Sequence, residues 1–220
     1  MSAKIKNPSY LTPTGPVSFP HLNKPDSKFA ATEADATYHT KLKLPADCAF
    51  IKQLAAEGTK QAEAYWAAAI ADAKPADKLK IQKFTLHLPF EAELDDTGAE
   101  TGMVVLKTKT KAYYEDKDTK ALTKKALPIF DSKGVPTAAG IFGGSEVKLK
   151  VEAVCYCSSA SKEYGVSLRL IAVQIIKLAE RGGDGSAYGF GKEDGFEAVT
   201  EVAEEVTMAP AVAGADEPWF

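Results

Sequence analysis

The sequence MVVLKTKTKAYY, residues 103–114, indicates both a fold class and a chemical character. Successive side chains of a β-strand point to opposite faces, so the even and odd positions of this segment separate. The even positions, from Val104 to Tyr114, are mostly apolar or small and can face a core. The odd positions form a row of cations that ends in an aromatic ring: Lys107, Lys109, Lys111 and Tyr113. The pattern predicts a half-buried strand with a basic outer face.

Four more segments alternate or stay apolar over strand-like lengths: residues 37–44, 126–130, 147–157 and 166–178. The outer face of the third segment is again basic and aromatic, with Lys148, Lys150 and Tyr156. These segments predict a protein built mainly of β-strands.

One long helix is predicted between the early strands. Asp47 can cap its N-terminus, and apolar residues recur at helical spacing from Ile51 to Ile70. Trp66 lies in that apolar stripe and is predicted to belong to the core. Together the elements predict a mainly β fold with one long helix, an OB-fold-like five-stranded barrel with an inserted helix and a flexible acidic C-terminal tail. An open α+β sheet would give a similar sequence pattern.

Charge is divided unevenly along the chain, which has 30 acidic and 27 basic residues. The last 28 residues hold eight carboxylates and no Lys or Arg, and they end in Trp219 and Phe220. The remaining 22 acidic and 27 basic residues give residues 1–192 a charge of about +5, against about −8 for the tail. This asymmetry predicts a polyanion-binding domain at 1–192 and a disordered, partner-binding tail at 193–220 that competes for the same surface.

Enzymatic and metal-binding classes have no support in the sequence. Cys48, Cys155 and Cys157 form an odd set without a framework spacing, which indicates a reducing cytosol. No set of four ligands has the spacing of a zinc site, and no nucleophile has a plausible base partner, so neither metal nor cofactor is expected. The N-terminus lacks the apolar stretch of a signal peptide, and no apolar run approaches the roughly 18 residues of a membrane helix. A cytoplasmic protein without membrane contact is therefore expected.

Lysines beside aromatic rings on an outer strand face are suited to single-stranded nucleic acid. Lysines neutralise phosphates and release counterions, while the rings stack on unpaired bases. Of the 27 basic residues only Arg169 and Arg181 are arginine, which disfavours bidentate, sequence-specific base recognition. Alternating lysines can also be an ordinary solvated sheet face, and the acidic tail favours the nucleic-acid interpretation over that one.

Several short blocks of the chain occur in an order and spacing that resemble a known family. They are Lys24-Pro25-Asp26, residues 63–69 of the Ala-rich helix, Pro89-Phe90, and residues 116–120, 131–134, 141–145, 147–151 and 165–168, followed by an acidic tail with terminal Phe220. The chain resembles the single-stranded DNA-binding replication proteins of T-seven-like bacteriophages. Two departures are Ser158, where the family carries a second aromatic residue, and a tail diluted with Ala and Val.

The resemblance implies an OB-fold that coats single-stranded DNA in replication and recombination and helps complementary strands to anneal. It also implies a homodimer in the cytoplasm of an infected bacterium, whose tail docks on the replicative DNA polymerase and the helicase-primase. Tyr156 occupies the position of a family aromatic residue used for DNA contact. Because Ser158, two residues later, replaces the family's second aromatic residue, stacking would depend more on Tyr113 or Tyr164.

The candidate residues fall into two sets. Those expected to bind DNA are Lys107, Lys109, Lys111, Tyr113, Lys148, Lys150, Tyr156, Tyr164 and Arg169. Those expected to bind a protein partner are Glu204, Glu205, Asp216, Glu217, Trp219 and Phe220. The competing hypothesis is a non-enzymatic adaptor or structural protein whose acidic tail recruits a basic partner. A nucleic-acid-processing enzyme ranks last, because the carboxylates are concentrated in the tail and turns.

Overall fold

The computed structural model describes residues 7–28, 30–116, 119 and 121–179. Within these ranges the chain forms eleven β-strands, two α-helices and one 3-10 helix. In chain order they are β1 (Ser9–Leu11), β2 (Gly15–Asp26), the 3-10 helix (Glu33–Asp35), β3 (Thr37–Pro45), α1 (Ala49–Asp72), α2 (Pro75–Ile81), β4 (Thr85–His87), β5 (Phe90–Leu94), β6 (Glu100–Lys111), β7 (Tyr113–Glu115), β8 (Leu122–Lys124), β9 (Ile129–Phe130), β10 (Glu146–Ser158) and β11 (Glu163–Lys177). In this part of the chain no helix is long and apolar enough to cross a membrane.

The five long strands pair in a ring. Strand β2 pairs with β3, β3 with β6, β6 with β11, β11 with β10, and β10 again with β2. All these pairings are antiparallel except that of β6 with β11, which is parallel. The β6–β11 and β10–β2 junctions each join only two residue pairs, so the ring is not a regular barrel. The predicted OB-fold-like class, with a helix inserted between early strands, is confirmed.

The apolar faces of the strands line the interior as the alternation predicts. On β6 the side chains of Val104, Leu106 and Thr108 are buried, while Lys107 and Lys109 are exposed. Strands β3 and β10 show the same alternation. Helix α1 closes one side of the barrel by burying Ile51 and Leu54 in the same core. This burial of apolar area is the main driving force for the arrangement.

Trp66 packs against the core, as its place in the helical stripe predicts. Its ring stacks on Tyr164 with centroids 4.6 Å apart and an interplanar angle of 8°. Its indole N–H donates a hydrogen bond of 2.9 Å to the backbone carbonyl of Ile81, at the end of α2. One side chain therefore joins both helices to β11.

Three local predictions are wrong. Asp47 does not cap α1, because Cys48 is the N-cap residue and makes no capping hydrogen bond through its side chain. The strand predicted over residues 126–130 is limited to Ile129–Phe130, since Pro128 lacks the backbone N–H that a ladder requires. Tyr114 is 55% exposed instead of buried, because β6 ends at Lys111 and residues 113–115 pair with β8 in a separate hairpin.

A hydrogen bond fastens β1 to α1. The Tyr10 hydroxyl donates to the Glu57 carboxylate at 2.7 Å. Burial, and then this hydrogen bond, raise the pKa of Tyr10 to about 12, and the same bond lowers the pKa of Glu57. Because the folded-state pKa of Tyr10 exceeds its unfolded value, the stabilisation is complete below about pH 10 and is lost as the pH rises toward 12.

We expect Tyr10→Phe to lower the free energy of unfolding by about 0.5–1.5 kcal/mol at neutral pH, the net value of one hydrogen bond. Urea titrations at pH 7 and above pH 11 measure this difference, which should shrink at the higher pH. Tyr65→Phe is the matched control, because Tyr65 is an exposed tyrosine on α1, the helix that carries Glu57. Equal losses for the two variants would contradict the assigned role of Tyr10.

Candidate nucleic-acid interface

The outer faces of β3 and β6 form the floor of a groove of about 540 Å³. In the antiparallel register His39 lies opposite Lys109, and Lys41 lies opposite Lys107. Cross-strand partners share a face, so these four polar side chains project from one surface. The loop between β10 and β11, with Ser161, lines the far side of the groove.

A second cavity, of about 610 Å³, adjoins the first one at Lys109, Ser167 and Leu168, which line both. Lys111, Tyr113 and Arg169 line this second cavity. The structure therefore brings six of the predicted DNA-binding residues to two adjoining cavities: Lys107, Lys109, Lys111, Tyr113, Tyr156 and Arg169. We call the two cavities together the β3–β6 groove.

Several cations of the groove are already paired with carboxylates. Lys107 pairs with Glu91, Lys111 with Asp35, and Arg169 with Glu152. The hydrogen bond from Lys107 is the main cause that holds the pKa of Glu91 below its usual value. A phosphate group at these positions must compete with a protein carboxylate, which weakens the net gain from each contact.

Two groove lysines have no such competitor. Among the residues that the structure describes, neither Lys41 nor Lys109 has a carboxylate within ion-pair distance. Both side chains are exposed on neighbouring strands. They therefore give the groove positive charge that no ion pair with a described carboxylate neutralises.

Tyr156 is held at the groove wall by its surroundings. Its hydroxyl lies 3.1 Å from Nδ1 of His87, and burial is the main cause that raises its pKa. His87 reaches this position because β4 pairs with β11 at Gly165, where an added Cβ would lie 1.9 Å from the His87 carbonyl oxygen. Only glycine permits that approach, and the aromatic ring of Tyr156 is thereby fixed beside the lysines.

Tyr113 lies at the opposite end of the β3–β6 groove from Tyr156. Its hydroxyl donates a hydrogen bond of 2.7 Å to the Glu33 carboxylate, which is the first cause of its raised pKa. The ring lines the second cavity beside Lys111. The groove therefore has aromatic residues near both ends, since Tyr114 also lines the second cavity.

Lys148 and Lys150 lie elsewhere. They line a separate depression of about 250 Å³ with Leu11, Phe130 and Gln174. The sequence predicted one groove containing both lysine rows, and the structure does not bring the rows together. Because the strands close into a ring, the outer face of this part of β10 points in a different direction from the outer face of β6.

The structure contradicts the hypothesis that the ring of Tyr164 stacks on DNA bases. It is only 8% exposed, and its ring face is covered by Trp66. In the alternation of β11 it lies on the inner face, between core residues. Its role is therefore structural.

Sequence reasoning did not single out Phe19 and Lys41. Phe19 is 71% exposed and has a φ of 50°, a backbone conformation that is strained for an aromatic residue. The ammonium of Lys41 lies 5.3 Å from the centre of its ring. Two features of the sequence could have indicated them. Phe19 is an aromatic residue between Ser18 and Pro20 in an extended segment, and Lys41 lies at an outward-facing position of β3.

A local irregularity of β2 exposes Phe19. Ser18 pairs with Lys41 and His21 pairs with His39, so three steps on β2 oppose two steps on β3. Such a bulge inserts an extra residue and redirects the side chains around it. Phe19 is thereby presented at the surface next to the groove lysine Lys41.

The predicted partner-binding residues of the tail lie outside the described residues. They are Glu204, Glu205, Asp216, Glu217, Trp219 and Phe220. The predicted boundary between a domain at 1–192 and a tail at 193–220 lies there as well and stays a prediction.

Comparison with known proteins places the fold and groove in a family. The family model described as "Single-stranded DNA-binding protein, Bacteriophage T7" matches residues 15–178, which contain the whole β3–β6 groove. The chain belongs to this family. The resemblance inferred from the short sequence blocks is thereby confirmed.

Individual members of the phage T7 family and related structures agree with this placement. A single-stranded DNA-binding protein of Enterobacteria phage T3 is 32% identical over 99 residues, 44% of this chain and 43% of that protein. The match therefore spans less than half of the length of that curated relative.

The crystal structure of gp2.5, a single-stranded DNA-binding protein of bacteriophage T7, superposes with a TM-score of 0.66 at 25% identity, covering 87% of this chain and 99% of that one. A single-stranded DNA-binding protein from bacteriophage Enc34, solved in complex with ssDNA, has a TM-score of 0.51 at 17% identity, over 83% of this chain and 97% of that one. The Enc34 likeness shows the shared fold.

Proposed function

We propose that this protein coats single-stranded DNA during phage replication without sequence preference. The observation that supports the proposal best is the β3–β6 groove of an OB-like fold. There Lys41 and Lys109, which form no ion pair with a described carboxylate, lie beside Tyr156. Lysines neutralise the backbone, and each stacked base contributes about 1–3 kcal/mol whatever its identity.

The backbone of the DNA would follow the lysines from Lys41 through Lys109 to Lys111. Bases would stack on Phe19 and Tyr156 at one end and on Tyr113 at the other. Contacts with Lys107, Lys111 and Arg169 require displacement of their carboxylate partners, so these residues contribute less than Lys41 and Lys109. Lys148 and Lys150 lie on another face and would contribute by general attraction only.

The acidic tail extends the proposal. Its carboxylates would screen the groove until DNA displaces them, which would free Trp219 and Phe220 for a protein partner. The proposed partners are the replicative DNA polymerase and the helicase-primase, and the proposed assembly is a homodimer that also anneals strands in recombination. We infer a non-enzymatic role, in the cytoplasm of an infected bacterium, that needs no cofactor.

Fluorescence anisotropy with a labelled oligothymidine of about 30 nucleotides, long enough for more than one OB-fold site, tests these proposals. Titrations at several salt concentrations compare the full chain with a 1–192 truncation. We expect salt-sensitive binding by the full chain and binding several-fold tighter by the truncation. The truncation should also lose association with the polymerase.

Two results would count against parts of this scheme. A truncated protein that binds DNA more weakly than the full chain would reject screening by the tail but keep the groove. An absence of binding by both forms at low salt would reject DNA coating and favour the adaptor hypothesis.

A further inference from the structure

Three metal-ligating side chains meet on the β2–β3 hairpin. One ligand atom each from His21, Asp26 and His39 lies within 4.8 Å of the other two. Along the chain, 18 positions separate His21 from His39. The hairpin brings them together.

The backbone pairing sets this arrangement. His21 and His39 are register partners across the two strands, so their side chains leave the sheet on the same face. Their ring centres are 4.7 Å apart, with a tilt of 33°. The bulge after Ser18 that exposes Phe19 also sets the parity of His21. Without the extra residue, His21 would point to the other face.

Asp26 supplies the third potential ligand of the cluster. It pairs with Thr37 at the end of the hairpin, and its Oδ1 accepts a hydrogen bond of 2.9 Å from the backbone N–H of Lys28. A carboxylate has several lone pairs, so this bond orients the group and still allows it to bind a cation.

Two imidazoles and a carboxylate are a donor set that suits divalent transition metals, above all Zn²⁺. Around zinc, donor atoms at about 2.0–2.2 Å lie roughly 3.4 Å from one another, so the side chains need to close by up to about 1.4 Å. The exposed side chain of His21 can make that adjustment.

We propose that His21, Asp26 and His39 form a binding site for a divalent transition-metal ion such as Zn²⁺ on the outer face of the β2–β3 hairpin. Three protein ligands leave a fourth position of a tetrahedral ion open to water or an anionic group. His39 also lines the β3–β6 groove. If the proposed function holds, a bound ion adds positive charge at the groove end where Phe19 and Lys41 lie.

Isothermal titration of the full-length protein with ZnCl₂, without DNA, tests the site independently of DNA binding. We expect one saturable site in the wild type and a loss of affinity of at least about tenfold in His21→Ala and in Asp26→Asn. His87→Ala is the matched control, since His87 lies outside the cluster, and it should bind Zn²⁺ like the wild type.

The comparison also controls for other ligands in the chain. The three cysteines and the acidic tail are retained in every variant, and burial raises the pKa values of Cys155 and Cys157, which favours the thiol form that binds metal poorly. Thermal melts of each metal-free variant show whether it folds, and His21→Ala and Asp26→Asn provide two separate tests. Equal Zn²⁺ affinity in the wild type and in both variants, or no saturable binding by the wild type, would overturn the proposal.

Discussion

Replacing Lys41 and Lys109 together by glutamate is expected to weaken binding of single-stranded DNA by at least about 25-fold near 0.1 M salt. A phosphate contact on a single strand contributes a slope of about −0.7 in log affinity against log salt, or roughly fivefold at 0.1 M, so two contacts give roughly 25-fold. Charge reversal adds repulsion to this loss. Both side chains are exposed on the sheet surface, so the fold should be preserved.

The double variant Lys148→Glu/Lys150→Glu is the matched control. It makes the same change in net charge on β10, at the separate depression beside Phe130 and Gln174. We expect its affinity to fall by less than about threefold, the size of a general electrostatic effect. The salt slope should decrease by about 1.4 in the groove variant and stay nearly unchanged in the control. Equal losses in both variants would show that DNA does not select the β3–β6 groove.

The sequence predicted the faces of single strands well. Period-two alternation depends only on local backbone geometry, so the exposure of Lys107, Lys109 and Lys111 followed from residues 103–114 alone. For the same reason residues 37–44 alternate between the two faces of β3, as predicted. Alternation by itself did not distinguish an OB-like ring from an open sheet. The short blocks that resemble the family favoured the ring.

Relations between distant segments could not be predicted in this way. Alternation does not say which outer faces meet, so Lys148 and Lys150 were placed in the same groove as Lys109. The carboxylates that pair with Lys107 and Lys111 come from positions 16 and 76 residues away. Their effect on the groove charge required the assembled sheet.

The status of the aromatic residues depended on small irregularities. Tyr164 was expected to contact DNA because Ser158 replaces the family's second aromatic residue, but its parity on β11 turns its ring toward Trp66. Phe19 and His21 reach the surface because of one bulge in β2, for which Pro20 is the local signal in the sequence. A single inserted residue changes the face of every side chain that follows it.

Phe19→Gly is expected to weaken DNA binding while leaving the protein as stable as the wild type or slightly more so. Loss of one stacking ring costs about 1–3 kcal/mol of binding free energy, or roughly 5- to 150-fold in affinity. The free energy of unfolding should change little, because the ring is 71% exposed and its removal loses little apolar burial. Glycine also relieves the strain of a φ of 50°, worth about 1–2 kcal/mol, against an entropic cost of about 0.5–1 kcal/mol.

Two measurements on one set of variants separate these effects. Urea unfolding should place Phe19→Gly within about 1 kcal/mol of the wild type or above it, and anisotropy should show the loss of DNA affinity. Phe19→Tyr retains the ring and the strained backbone, so it should match the wild type in both measurements. Strain that persists at an exposed residue is explained when the residue serves a ligand, because packing gains nothing from it. If Phe19→Gly bound DNA with wild-type affinity, the strain at Phe19 could not be attributed to DNA binding. The bulge would then be only a structural feature of the β2–β3 hairpin.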